Sequence, residues 1–178
     1  MQVKPDPDFS GLPDLTGTSA CAAYQFRRTS RAVARLYDAA IAVSGIRSTQ
    51  FAILTAIAKL QPVAISRVAE ILVIDSTTMT RSLRVMQKDG LIEIAPRGQR
   101  RQRLLTLTLK AEKALAVAVP LWRKAQARFL DSLGGKRWKQ FQDELEHAAN
   151  VAVTLENEDI EAKVSANLAG CEPQKEIP

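Results

Sequence analysis

The stretch at residues 65–108, ISRVAEILVIDSTTMTRSLRVMQKDGLIEIAPRGQRRQRLLTLT, decides the fold. Its spacing predicts a short helix over 65–72, a tight turn at Val73-Ile74-Asp75, and a second helix over 76–88. Two strands, 91–95 and 103–107, then flank an arginine-rich tip. This is the pattern of a winged helix-turn-helix, which lays its second helix in the major groove of DNA. The fold class expected is mainly α, with a small two- or three-stranded wing and long flanking helices.

Local chemistry supports each boundary. Asp75 or Ser76 supplies a side-chain oxygen for the free amides of a first helical turn. Met79, Leu83 and Met86 recur every three or four residues and should face a core. That leaves Thr77, Thr78, Arg81, Arg84 and Lys88 largely on the open side. Asp89-Gly90 stops the helix. LIEIA alternates as a half-buried strand does, and LLTLT is a fit partner for it. The connecting PRGQRRQ has nothing apolar to bury.

Affinity and specificity come from different parts of such a module. Ser76, Thr77, Thr78 and Thr80 offer short hydroxyls to base edges or phosphates, while Arg81 and Arg84 can donate to guanine or to phosphate. Arg97, Arg100, Arg101 and Arg103 lie within seven residues on the hairpin. Arginines at such a tip suit the negative potential of a narrow minor groove. The blander alternatives are capping for the hydroxyls and a solvated face for the arginines.

The stretch resembles the MarR family of winged-helix regulators. The resemblance is carried by Ser76-Thr77-Thr78-Met79-Thr80-Arg81 with Leu83, by Lys88-Asp89-Gly90-Leu91-Ile92, and by Gln99-Arg100-Arg101 through Leu107-Thr108. The helices framing it, with RAVARLYD before and PLWRKAQ after, extend the likeness to about three quarters of the chain. It implies a homodimer held by the N- and C-terminal helices on a pseudo-palindromic operator in double-stranded DNA. It also implies a wing arginine, Arg100 or Arg101, in the minor groove, and a ligand pocket between the dimer helices and the winged module. Two positions depart from the pattern. Gln99 stands where the family wing usually opens with Asp, which removes a usual ion pair. Ala111 stands where Gly is frequent, which favours unbroken helix.

Outward from the module, residues 1–15 carry Pro5, Pro7, Pro13 and Gly11 and predict an irregular arm. A helix over 19–43 has Ala22, Phe26, Val33, Leu36, Tyr37, Ala40 and Ile41 on its apolar face, and Gly45 ends it. The next, from Ser48 to Gln61-Pro62, should bury Phe51, Leu54, Ile57 and Ala58. Thr108 should cap a helix reaching Leu133, kinked at Pro120. Gly134-Gly135 separates a last helix over 136–157, with Trp138, Phe141, Leu145, Ala148, Ala149 and Val153 inward. The organisation expected is an arm at 1–15, dimerisation helices at 16–45 and 109–157, the DNA-binding domain at 46–108, and a loose tail at 158–178.

Composition agrees. A hydrophobic fraction of 46% and charged fraction of 25% are ordinary for a globular chain. The formal charge of +6 is unevenly spread. Residues 81–110 hold eight basic and two acidic side chains, whereas 143–178 hold nine acidic side chains and two lysines. A phosphate-binding face requires such asymmetry. The N-terminus lacks a signal-peptide layout and no stretch is long enough to span a bilayer, so the expected location is cytoplasmic, with no membrane partner.

Two candidate sensors remain. Arg27 and Arg28, about two turns from Cys21, suggest a redox-active thiol, while Ala20, Ala22 and Ala23 suggest a small buried residue. Tyr24, Arg31, Tyr37 and Trp122 could line a pocket for a small aromatic effector, or simply pack in a core. No catalytic constellation stands out: the one histidine, His147, has no partner in the pattern, and no phosphate-cradling glycine motif or metal-ligand cluster occurs. Neither enzyme activity, cofactor nor metal is expected. The function expected is a sequence-specific transcription regulator, a repressor released by a small ligand or an oxidant. A nonspecific architectural DNA-binding protein and a winged-helix protein-interaction module are the alternatives.

Overall fold

A computed structural model describes residues 15–95 and 103–169, with side chains as far as 163 in the last helix. The chain divides into two compact units, Met1–Ala125 and Gln126–Pro178.

In the first unit a single 3-10 turn, Thr18–Ala20, leads into helix α1, Ala22–Ile41. Gly45, at φ 75°, turns the chain toward α2, Ser48–Leu60. Strand β1, Val63–Ala64, precedes α3, Ile65–Ile71, and α4, Ser76–Lys88. Strands β2, Ile92–Ala95, and β3, Leu104–Leu107, form the wing, and α5, Leu109–Leu133, begins directly after it.

The sheet is antiparallel, with β3 between β1 and β2. Leu105 pairs with Val63 on one side and Ile94 on the other, and it is fully buried. β1 is only two residues long, and Gln61, just before it, continues the pairing: its Oε1 accepts the Leu107 amide at 2.8 Å. The core gathers Ile41 from α1, Leu54 and Ile57 from α2, Val68 from α3, and Met79, Leu83 and Met86 from α4. Ala111 and Ala118 of α5 close over it.

The wing is three-stranded, within the two or three strands expected; its third strand, β1, has only two residues, too few to show alternation in sequence. Other expectations need correction. Ala58 is exposed and Ile53 is buried in its place, because the buried face of α2 runs through Ile53, Leu54 and Ile57. Ala22, Phe26 and Leu36 lie on the apolar side of α1 yet are exposed, since α1 meets the core only near its C-terminal end.

The second unit holds the end of α5, from Gln126, and α6, Gly135–Ala169. Gly134 makes the turn at φ 89°. Trp138 packs edge-on against Phe129, with centroids 6.0 Å apart. Helix α6 extends past the expected end at 157 into the segment expected to be loose. Apolar periodicity fades there, but no Gly or Pro interrupts the chain before Gly170, and helix persists on propensity. Phe141, Ala149 and Val153, expected inward, are exposed, whereas Trp138, Leu145 and Ala148 of the same stripe are half-buried. The expected arm lies almost wholly outside the described residues. Among the described residues, no single helix is long and apolar enough to cross a membrane.

Candidate nucleic-acid interface

The turn between α3 and α4 sets how α4 is presented. Ile74 donates its amide to Ala69 O at 2.9 Å and Val73 to Glu70 O at 3.2 Å, which reverses the chain within four residues. Val73 reaches this with φ 50°, a left-handed conformation that a β-branched residue rarely adopts. Asp75 then caps α4: its Oδ1 accepts the Thr78 amide at 2.8 Å. The Thr78 hydroxyl first, and this amide second, hold the Asp75 carboxyl below its ordinary value.

With Met79, Leu83 and Met86 buried, the helical period turns Ser76, Thr77, Thr78, Thr80, Arg81, Arg84 and Lys88 to solvent. The Thr80 hydroxyl is committed to the helix itself, donating to Ser76 O at 2.7 Å. The two arginines open to different flanks. Arg84 shares a recess of about 160 Å³ with Thr80, Gln87 and Arg103, at the root of the wing. Arg81 instead lines a groove of about 550 Å³ toward α2, with Ser82 on its own helix and Arg47, Thr49 and Gln50 opposite. Among the described residues, none of Arg81, Arg84 and Arg103 enters an ion pair. Arg97, Arg100 and Arg101 lie outside the described residues, as does Gln99.

The far end of α4 is fastened to α5. Thr108 Oγ1 donates to Gly90 O at 2.7 Å and accepts the Ala111 amide at 3.2 Å, so it caps α5 as expected. Lys110 Nζ donates to Asp89 O at 2.6 Å, placing a cation at the negative end of the α4 dipole. Ala111 is fully buried within an unbroken helix, which also continues through Pro120.

Of the four proposed pocket residues, two come together. Tyr37 and Trp122 line a shallow cleft of about 230 Å³ with Ser30, Val33, Ala34, Ile41, Ser48 and Phe51. Phe51 stacks on Trp122 at 5.8 Å. Burial pushes the Tyr37 phenol above its ordinary value. Tyr24 is exposed, and neither it nor Arg31 lines the cleft. The periodicity of α2 marks Phe51 only as core. Ser48 also stands at the cleft wall, and its amide is held by Asp38 of α1. Cys21 is exposed at the N-cap of α1, against the expectation from its alanine neighbours, because the first turns of α1 lie clear of the core. Sequence reasoning misses Arg47 and Gln87; for Arg47 the available signal is a cation where a helix start usually carries Ser, Thr, Asp or Asn.

Comparison with known proteins places the chain. The model of the MarR family matches residues 44–102. No curated protein matches significantly. Among solved structures, the M. tuberculosis transcriptional regulator MosR in complex with DNA is 34% identical; the match covers 76% of this chain and 98% of that one, with a TM-score of 0.70. PcaV from Streptomyces coelicolor, in complex with its natural ligand, is 21% identical over 79% of this chain and 98% of that one, with a TM-score of 0.67. The repressor CouR bound to p-coumaroyl-CoA is also 21% identical, over 78% and 98%, with a TM-score of 0.65. The winged module, its exposed basic helix and the match to MosR over nearly its whole length establish that this chain belongs to the MarR family of winged-helix transcription regulators.

Proposed function

We propose that the chain binds a pseudo-palindromic operator in double-stranded DNA as a homodimer, with α4 in the major groove and the wing against the neighbouring minor groove. The observation that carries this is the exposed face of α4, where Arg81, Arg84 and Lys88 stand clear while Met79, Leu83 and Met86 anchor the opposite side. Ser76, Thr77 and Thr78 contact base edges or phosphates at the helix start, and Arg81 and Arg84 supply charge and guanine donors. Arg103 secures the wing root, and Arg97, Arg100 and Arg101 serve the wing tip. The exposed Phe26 and Leu36 on α1, and Phe141, Val151 and Leu155 on α6, support pairing with a second copy. MosR, the 34% identical relative, has been solved with DNA.

The test is a footprint on the promoter region of the chain's own gene, with random DNA as competitor. A protected pair of half-sites about one helical turn apart, resistant to random competitor, is expected. A specificity ratio near one would favour the architectural reading, and no binding to any duplex would favour the protein-interaction reading.

The regulator acts as a repressor that its signal releases. The cleft at Tyr37, Phe51 and Trp122 suits a flat aromatic acid, and exposed Cys21 offers a second route through an oxidant. The related repressor CouR binds p-coumaroyl-CoA. Release of operator DNA by aromatic acids, blunted by Trp122→Ala, supports the first route. Release by peroxide that survives Cys21→Ser rules out the second.

A further inference from the structure

A helix that reads base edges in the major groove has a phosphate strand on each side of it. The structure gives α4 a basic recess on both flanks. On the wing side Arg84 meets Arg103. On the other, Arg47 and Thr49 at the start of α2 face Arg81 and Ser82 across a groove of about 550 Å³. We propose that this second groove is a phosphate-binding station, in which Arg47 and Arg81 clasp the DNA backbone on the side of α4 away from the wing. The inference rests on the DNA-binding reading above, and it adds Arg47 and Thr49 of α2 to an interface otherwise confined to α4 and the wing.

The groove is built for an anion at one end. Arg47 has a fixed root: its amide donates to Gln50 Oε1 at 2.9 Å, and the next amide, Ser48, donates to Asp38 Oδ1 at 2.6 Å. Thr49 and Ser82 line the same groove, and each carries a hydroxyl able to donate. The groove's carboxylate, Asp89, caps the other end of α4, about 12 Å along the helix from Arg81. Asp38 lies beside Arg47 and offsets part of its charge, but it is not in the groove wall. Neither Arg47 nor Arg81 is in an ion pair among the described residues, so both guanidiniums are free to meet a phosphate. Such contacts position a protein without carrying sequence information.

The test is a fluorescence-anisotropy titration of the full-length chain against a fluorescein-labelled random-sequence duplex and the footprinted promoter duplex, over a series of salt concentrations. Each phosphate that is no longer neutralised should flatten the slope of log affinity against log salt by about 0.9. Arg47→Ala is expected to flatten it by that amount for each protomer engaged, and to weaken both duplexes by the same factor. Arg47→Lys should retain most of the slope. Thr49→Asp, which sets a negative charge in the groove, should weaken both duplexes at low salt without lowering the thermal midpoint, since a carboxylate in the first turn of α2 favours the helix. A wild-type slope in Arg47→Ala overturns the station, as does a loss confined to the promoter duplex. A wild-type chain that binds neither duplex overturns the DNA-binding reading itself, a different result from a wild type that binds with a slope Arg47 does not alter.

Discussion

Asp38 Oδ1 accepts the backbone amide of Ser48 at 2.6 Å, tying the last turns of α1 to the first turn of α2. The bond satisfies an amide that the start of α2 would otherwise leave unpaired. It also holds the Asp38 carboxyl below its ordinary value of 3.8, first through the Ser48 backbone bond and then through the Ser48 side chain, with Arg47 adding a favourable charge. Because Ser48 lines the aromatic cleft and Arg47 lines the groove beside α4, this one carboxylate stands between the two.

A pH dependence follows from the lowered value. The folded state prefers the ionised carboxyl, so the contribution is fully present above the ordinary value and is lost as pH falls through the lower folded one. The thermal midpoint of the wild type should exceed that of Asp38→Asn at neutral pH. The gap should close below about pH 4. A gap that stays constant down to about pH 2 would contradict the link.

Val73 pays conformational energy at φ 50° and is exposed, so no packing compensates it. Asparagine tolerates this region far better. Val73→Asn should stabilise the chain by roughly 1 kcal/mol, seen as a higher urea midpoint with the same m-value. Val73→Ile, which keeps the branch, should show no gain.

Leu105 occupies the middle of the central strand with no exposed surface. Truncating it leaves a cavity beneath both neighbouring strands. Leu105→Ala should cost about 2–5 kcal/mol by denaturant unfolding. The exposed Leu109→Ala, at the start of α5, should cost far less, and equal losses would show that the core lies elsewhere.

Arg84 and Arg103 share one recess but should differ in kind. Arg84→Ala should weaken promoter binding by about 1–3 kcal/mol and relax discrimination at one base pair. Arg103→Ala should weaken promoter and random DNA alike, with a shallower salt slope. Competition titrations with single-base operator variants separate these outcomes; indistinguishable profiles would place both on the backbone.

The parts legible in sequence are those with strong local chemistry. The bounds of α4 coincide with expectation because Asp75 begins it and Asp89-Gly90 ends it. The wing strands and the Thr108 cap are likewise written in alternation and side-chain oxygens. What is not legible depends on partners distant in the chain. β1 is a strand only because Leu104 and Leu105 pair with it. Phe51 belongs to the cleft because Trp122, from α5, arrives over it. Phe26 and Leu36 sit on a proper amphipathic stripe, yet periodicity alone cannot say whether such a stripe meets its own chain or another. The split of Arg81 and Arg84 to opposite recesses needs the positions of α2 and the wing.

The bonds from Thr108 to Gly90 and from Lys110 to Asp89 join the end of α4 to the start of α5. The hairpin is therefore closed at its root by these two bonds, and its second strand, β3, is held again by β1 through Leu105 and Val63. Lengthening such a closed loop costs little, since closure entropy grows only with the logarithm of its length. The reach and charge of the wing can thus be retuned from one descendant of this chain to the next without altering the angle at which α4 is held.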